Sequence, residues 1–176
     1  MGLLEQLNFR VRSANRLQRA FQSAASQRWA GPLLSKTLYP LDRAAFRGTG
    51  GRHTVASLIA GLPVIMLTTV GARTGADRMM PLLGITMGDH LAVIGSNFGT
   101  QSTPGWVYNL EAHPHGTVEY RDRTVAVTAR RADPREAESV FDLAATVYGA
   151  FPAYRERAAH RDIRVFILAA ADGTSR

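Results

Sequence analysis

Apolar residues near the N-terminus recur at spacings of three and four, whereas most of the chain beyond them has the pattern of β-strands. The first spacing predicts an amphipathic helix over residues 3–28. The glycine-rich run 48–51 is typical of a loop and marks the best boundary between this part and the rest. We therefore expect a largely helical arm over residues 1–52 and one folded domain over residues 53–176.

Strand signals begin just after Pro63. Apolar, partly β-branched stretches predict about six strands, at Val64–Val70, Met79–Met87, Leu91–Gly95, Thr117–Tyr120, Thr124–Arg130 and Ile163–Ala169. The short polar turns at 88–89 and 121–123 are typical of hairpins, so the strands beside them should pair antiparallel. This arrangement favours a mainly β, α+β fold in which a small barrel or curled sheet carries peripheral helices.

Two helices are expected within the domain. The first is a short helix over Gly105–Ala112. The second begins with a capping box, in which Asp133 caps the first turn, Pro134 suits the first helical position and Glu136 bonds back to the cap. That helix should run to about Tyr148.

The net charge of +7 lies entirely in the N-terminal arm. Residues 1–52 hold nine basic and two acidic residues, while residues 53–176 hold twelve of each. An anionic membrane surface, nucleic acid and the body of the same protein are the three possible partners. Nucleic acid is disfavoured because the arm lacks interleaved aromatic residues and any recognition motif. Packing on the body and peripheral membrane contact through residues 3–28 both stay open.

The composition excludes several kinds of chemistry. There are no cysteines, so disulfides, thiolate metal sites and a cysteine nucleophile are ruled out. The five histidines have no metal-ligand spacing, and no serine stands in a nucleophile-elbow motif, so we expect neither a metal site nor a hydrolase. No stretch has the pattern of a secretory signal or the length of a membrane span, which predicts a cytoplasmic protein.

The sharpest candidate for binding chemistry is the glycine-flanked loop that follows the first strand, from Gly71 to Arg78. Its glycines allow a tight turn and a close approach of the backbone to an anion. Arg73 and Arg78 offer forked donors for a phosphate or a carboxylate. The spacing fits neither a Walker loop nor a dinucleotide fingerprint, so a hairpin with solvated arginines is the competing interpretation.

Three further features carry weaker signals. The segment 95–99 follows a strand and offers small polar groups to a planar ligand, although an ordinary turn would have the same composition. Trp106 is suited either to the wall of a pocket or to the core. Tyr148, Phe151 and Tyr154 are spaced by three; a tyrosine hydroxyl at a pocket rim could protonate a reduced substrate, and packing against a strand is the alternative.

Taken together, these features resemble one family, the deazaflavin-dependent nitroreductases of actinobacteria, a branch of the split β-barrel flavin-binding superfamily. The resemblance covers about Pro63–Ala170. Its anchors in chain order are Thr68-Thr69-x-Gly71-x-Arg73-Thr74-Gly75-x-x-Arg78-x-x-Pro81, Ser96-Asn97-Phe98-Gly99, Pro104-x-Trp106-x-x-Asn109-Leu110-x-x-His113-Pro114, and Tyr148-x-x-Phe151-x-x-Tyr154 followed by Arg161-x-Ile163. The family fold implies a split β-barrel of the FMN-binding type, often as a homodimer.

The resemblance implies that the cofactor is coenzyme F-420, an 8-hydroxy-5-deazaflavin. The two loop arginines would hold its phosphate and acidic tail, and the segment 96–99 and Trp106 would line the deazaflavin pocket. The full set of implied cofactor-binding residues is Arg73, Thr74, Gly75, Arg78, Pro81, Ser96, Asn97, Phe98, Gly99, Trp106 and Asn109.

The resemblance also implies the activity. The protein would orient the hydride of the reduced deazaflavin toward a small electrophile such as a quinone, an enone or a nitro compound. Tyr148 and Tyr154 would be the catalytic proton donors, and Phe151 would line the substrate pocket. Nitroimidazole-reducing members have tyrosine where Phe151 stands, which favours a quinone or enone, including a lipophilic quinone if the arm contacts membrane. The alternatives are a non-catalytic deazaflavin carrier and a split-barrel protein that uses FMN or heme.

Overall fold

The computed structural model describes residues 1–11, 18, 40–42, 44–46, 48–49 and 61–171. Within these residues the strands are β1 Val64–Val70, β2 Asp77–Leu83, β3 Ile85–Met87, β4 His90–Ile94, β5 His115–Tyr120, β6 Arg123–Arg131 and β7 Val165–Ala170. The helices are α1 Leu3–Leu7, α2 Gly105–Ala112, α3 Pro134–Val147 and α4 Phe151–Arg157. Residues 40–42, 44–46 and 48 are also helical.

The strands form one curled sheet in the order β2-β1-β5-β6-β7-β4-β3, and every neighbouring pair is antiparallel. The mainly β, α+β architecture expected from the sequence is confirmed. Seven strands replace the six expected because the strand predicted over 79–87 is divided at Gly84. A Cβ at Gly84 would lie 3.0 Å from the Phe9 ring and 3.3 Å from Ile65, so glycine allows these side chains to pack closely against the backbone there.

Two apolar clusters cover the two faces of the sheet. Side chains alternate between them along each strand: in β7, Phe166 and Leu168 face one cluster, and Val165 and Ile167 face the other. We call the first the α1–α2 core, because α1 and α2 pack there, and the second the α3–α4 core. The candidate site residues are divided between these two sides.

The prediction of one continuous helix over residues 3–28 is wrong, because α1 ends at Leu7. Asn8 adopts a left-handed conformation with φ of 47°, and the Phe9 N–H turns back to bond the Leu4 carbonyl at 2.9 Å. A short asparagine side chain tolerates this conformation, which terminates helices. Apart from residues 8–11 and Gln18, which is helical, the remainder of the predicted stretch lies outside the described residues.

The beginning of the arm is part of the barrel. Leu3 and Leu7 are each only 1% exposed and belong to the α1–α2 core. The Phe9 and Tyr120 rings lie 4.6 Å apart, and the Tyr120 hydroxyl donates to the Arg10 carbonyl at 3.1 Å. These apolar side chains therefore pack in the protein's own core. No helix among the described residues is long and apolar enough to cross a membrane.

Candidate functional site

The loop between β1 and β2 is closed by its own backbone. The Gly71 N–H donates to the Ala76 carbonyl at 2.9 Å, and the Gly75 N–H donates to the Gly71 carbonyl at 2.8 Å. Gly75 has a φ of 66°, and a Cβ on Gly71 would lie 2.9 Å from the Ala76 carbonyl oxygen. Glycine is needed at both positions, and the loop predicted here has a defined shape.

The polar side chains of this loop point to solvent. Arg73, Thr74 and Arg78 are exposed, as is Gly75. In the part of the chain that the structure describes, neither arginine forms an ion pair. Two guanidinium groups on a loop of defined shape are suited to bind a phosphate or a carboxylate.

Asn109 of α2 ties this loop to strand β1. Its Nδ2 donates to the Thr69 hydroxyl at 3.0 Å, and its Oδ1 accepts from the Ala72 N–H at 3.0 Å. The Thr69 hydroxyl in turn donates to the Arg78 carbonyl at 3.4 Å. Both side chains are buried. The two ends of the loop are thus linked through one asparagine, a contact that no local sequence pattern indicated.

A second predicted segment forms a strained turn after β4. Asn97 and Phe98 have φ values of 47° and 55°, which are uncommon for residues with a side chain. Arg161 holds the turn from outside: its Nη2 donates to the Ser96 carbonyl at 2.9 Å and its Nε to the Thr100 carbonyl at 3.4 Å. Burial lowers the pKa of Arg161 below its usual range. Sequence reasoning used this arginine only as a family anchor and missed its contact with the turn.

The predicted tyrosines meet in the α3–α4 core. The Tyr148 and Tyr154 hydroxyls lie 2.9 Å apart, and the Phe98 ring packs edge-on against Tyr154 with centroids 5.8 Å apart. Phe151 is 4% exposed and stacks on Phe141. Burial raises the pKa of both tyrosines above the usual range, so both phenols are neutral at physiological pH.

Two other predicted cofactor residues lie inside the fold. Trp106 belongs to the α1–α2 core, where its ring packs edge-on against Phe166 with centroids 5.9 Å apart. Pro81 is buried in β2 opposite Met66. The structure thus brings the segment 96–99 together with the tyrosines, and the loop 71–78 together with Asn109. Their roles toward a cofactor stay predictions.

A separate open cleft of about 620 Å³ lies between α3, α4 and the residues that lead into β7. Arginines line it, but Arg131 pairs with Asp162 and Arg155 pairs with Glu138. None of the predicted site residues lines this cleft. The cleft is therefore separate from the predicted site residues, and it adjoins them through Arg161, which bonds to the turn 96–100. Among the described residues, no group of histidines and carboxylates could hold a metal ion.

Sequence comparisons agree with this architecture. The family model described as F-420H(2)-dependent quinone reductase matches residues 40–170. The F-420H(2)-dependent quinone reductases of two Mycobacterium tuberculosis strains are 31% identical to this chain over 112 residues, which are 63% of this chain and 74% of theirs.

Solved structures show the same relationship. An F-420-H2 dependent reductase is 31% identical with a TM-score of 0.55, and the match covers 60% of this chain and 93% of that one. A second solved structure, described as a domain-swapped dimer, is 30% identical to this chain with a TM-score of 0.58. The match covers 72% of this chain and 91% of that one. The curled antiparallel sheet is accordingly a split β-barrel. This chain belongs to the F-420H(2)-dependent quinone reductase family.

Proposed function

We propose that this chain transfers a hydride from reduced coenzyme F-420 to a quinone or a related small electrophile. The observation that carries the proposal is the loop 71–78, whose two exposed arginines stand on a backbone of fixed shape, in a chain of this family. Such forked cations match the phosphate and acidic tail of the coenzyme. Arg73 and Arg78 would therefore anchor it, with Thr74 and Gly75 beside them.

The remaining predicted residues would orient the reaction. When bound, the coenzyme supplies the hydride. The turn 96–99, with its fixed left-handed residues, would border the deazaflavin ring. Trp106, buried in the α1–α2 core on the other face of the sheet, would support the pocket from that core. Burial keeps the Tyr148 and Tyr154 hydroxyls protonated and makes them weak acids. One of them would donate a proton to the reduced acceptor as negative charge develops on its oxygen. Phe151 would supply apolar surface without a further hydroxyl, which suits a quinone.

Binding and turnover can be tested with the purified full-length chain. Fluorescence titration with oxidised F-420, run beside FMN, should show saturable binding of the deazaflavin and weak binding of FMN. Reduced F-420 mixed with a naphthoquinone should then regain the absorbance of the oxidised coenzyme only when protein is present. Binding of FMN alone, or no acceleration of that oxidation, would contradict the proposal.

Location and assembly are further parts of this proposal. We expect a cytoplasmic protein whose basic arm contacts the inner face of the membrane, where lipophilic quinones reside. The charge excess within residues 1–52 supports the contact. The full chain should pellet with anionic liposomes, and a variant with Arg12, Arg16 and Arg19 changed to glutamate should not; equal pelleting would contradict membrane contact. Homodimer formation is testable by sedimentation velocity.

A further inference from the structure

Asn109 uses both ends of its carboxamide within the protein. One end donates to the Thr69 hydroxyl and the other accepts from the Ala72 N–H, each at 3.0 Å. The residue is 9% exposed. A side chain engaged in this way has one amide hydrogen left, and its Oδ1 already accepts a hydrogen bond, so it is poorly placed as a principal ligand of the coenzyme.

The backbone of the loop is also engaged in internal bonds. The N–H groups of Gly71, Thr74 and Gly75 bond to carbonyls of the loop, the Ala76 N–H bonds to the Thr74 hydroxyl at 3.4 Å, and the Ala72 N–H bonds to Asn109. The Arg73 N–H has no backbone hydrogen-bond partner among the described residues. Apart from this one N–H, anion recognition at the loop therefore rests on side chains, and the direction of those side chains depends on the loop's shape.

We propose that Asn109 is a positioning residue, which acts through the loop rather than through the coenzyme. By fixing Ala72, it sets the direction in which Arg73 leaves the backbone; through Thr69 it also fixes the carbonyl of Arg78. This inference rests on the proposed function, in which the two arginines bind the coenzyme's acidic groups. It gives α2 a role in coenzyme affinity without a contact to the phosphate.

The test compares two ligands. One is F-420, and the other is the corresponding deazaflavin without phosphate or acidic tail. Asn109→Ala should raise the Kd for F-420 about tenfold, since a hydrogen-bonded constraint on charged donors is lost. It should leave the Kd for the phosphate-free deazaflavin unchanged. An equal loss for both ligands would show that Asn109 contacts the ring and would overturn the proposal.

A double-mutant cycle separates positioning from direct contact. In an Arg73→Ala background, Asn109→Ala should weaken F-420 binding less than in the wild-type chain, because one of the two arginines it positions is absent. Full additivity would overturn the proposal. An unchanged Kd for Arg73→Ala alone would instead refute the arginine anchor, and that result is distinguishable because it does not involve Asn109.

A matched pair at Thr69 keeps the test valid if Asn109→Ala does not fold. Thr69→Ser keeps the hydroxyl that Asn109 and the Arg78 carbonyl use, whereas Thr69→Val replaces it with a methyl group of similar size. Thr69→Val should raise the Kd for F-420 while Thr69→Ser stays near the wild-type value. Identical affinities for the two variants would contradict the link between strand, asparagine and loop.

Discussion

The loop 71–78 and the tyrosine cluster are the two halves of the candidate site, and they are built in opposite ways. The loop has a backbone closed on itself and side chains directed to solvent. In the cluster of Tyr148, Phe151 and Tyr154, the side chains are buried and contact one another or Phe141. The loop carries exposed arginines on a well-defined backbone, and the cluster contains two protonated tyrosine hydroxyls buried in an apolar core.

Because of this difference, substitutions in the two regions should have different effects. Substitutions in the loop should change binding with little effect on folding, because exposed side chains contribute little to stability. Substitutions in the cluster should change stability first, because they disturb packing and buried hydrogen bonds. Four measurements test this contrast.

The largest effect is expected from Phe151→Ala. Removing a buried phenylalanine typically costs about 3–5 kcal/mol of unfolding free energy. Urea denaturation of this variant should show such a loss, whereas Arg73→Ala should stay within about 0.5 kcal/mol of the wild-type chain. A loss for Phe151→Ala near that of Arg73→Ala would mean that the cluster is loosely packed, and the contrast would fail.

The next effect is on coenzyme affinity. Arg73→Ala should weaken F-420 binding by roughly 1.5–3 kcal/mol, as expected for a charge-assisted contact. Arg135→Ala, which removes an exposed charge from the first turn of α3, is the matched control. Fluorescence titration of both variants provides the comparison. Equal losses would point to general charge attraction rather than to the loop.

A smaller effect on the unfolding free energy is expected when the Tyr148–Tyr154 hydroxyl contact is removed. Tyr148→Phe removes the hydroxyl that lies 2.9 Å from that of Tyr154 and should cost about 1–2 kcal/mol of unfolding free energy. The double variant Tyr148→Phe/Tyr154→Phe should cost less than the sum of the two single variants, by about 1 kcal/mol. Strict additivity in denaturant melts would show that the two hydroxyls do not stabilise each other.

The smallest expected effect is the dependence of the unfolding free energy on pH. Burial raises the pKa of Tyr148 and Tyr154, and unfolded tyrosines ionise near pH ~10. Their contribution to stability is thus complete below pH ~10 and is lost as the pH rises toward the raised native pKa values. Unfolding free energy should therefore fall above pH ~10, and less steeply in Tyr148→Phe.

Local signals account for much of what the sequence predicted correctly. The capping box of α3 forms as expected, with Asp133 accepting from Arg135 and Glu136 and with Glu136 bonding back. The strand β1 and the helix α2 have the bounds that were predicted. Each of these features depends on residues only a few positions apart, so composition and spacing carry the information.

The features that were missed depend on distant partners or on competing local effects. Asn109 bonds to residues 37 and 40 positions away, a pairing that exists only once α2 has docked on β1. Arg161 reaches the turn 96–100 across more than sixty positions. The periodic pattern over 3–28 concealed the helix end at Asn8, where a left-handed residue overrides the spacing.

The position of Gly2 constrains how this protein can be produced. A Cβ at this position would lie 2.8 Å from the Asp89 Cβ in the turn before β4, while the Leu4 N–H bonds to the Asp89 carbonyl at 3.4 Å. A cloning residue with a side chain in place of Gly2 would displace that turn or α1. Glycine should therefore be kept at this position when the protein is produced, and Gly2→Ala should give less folded protein.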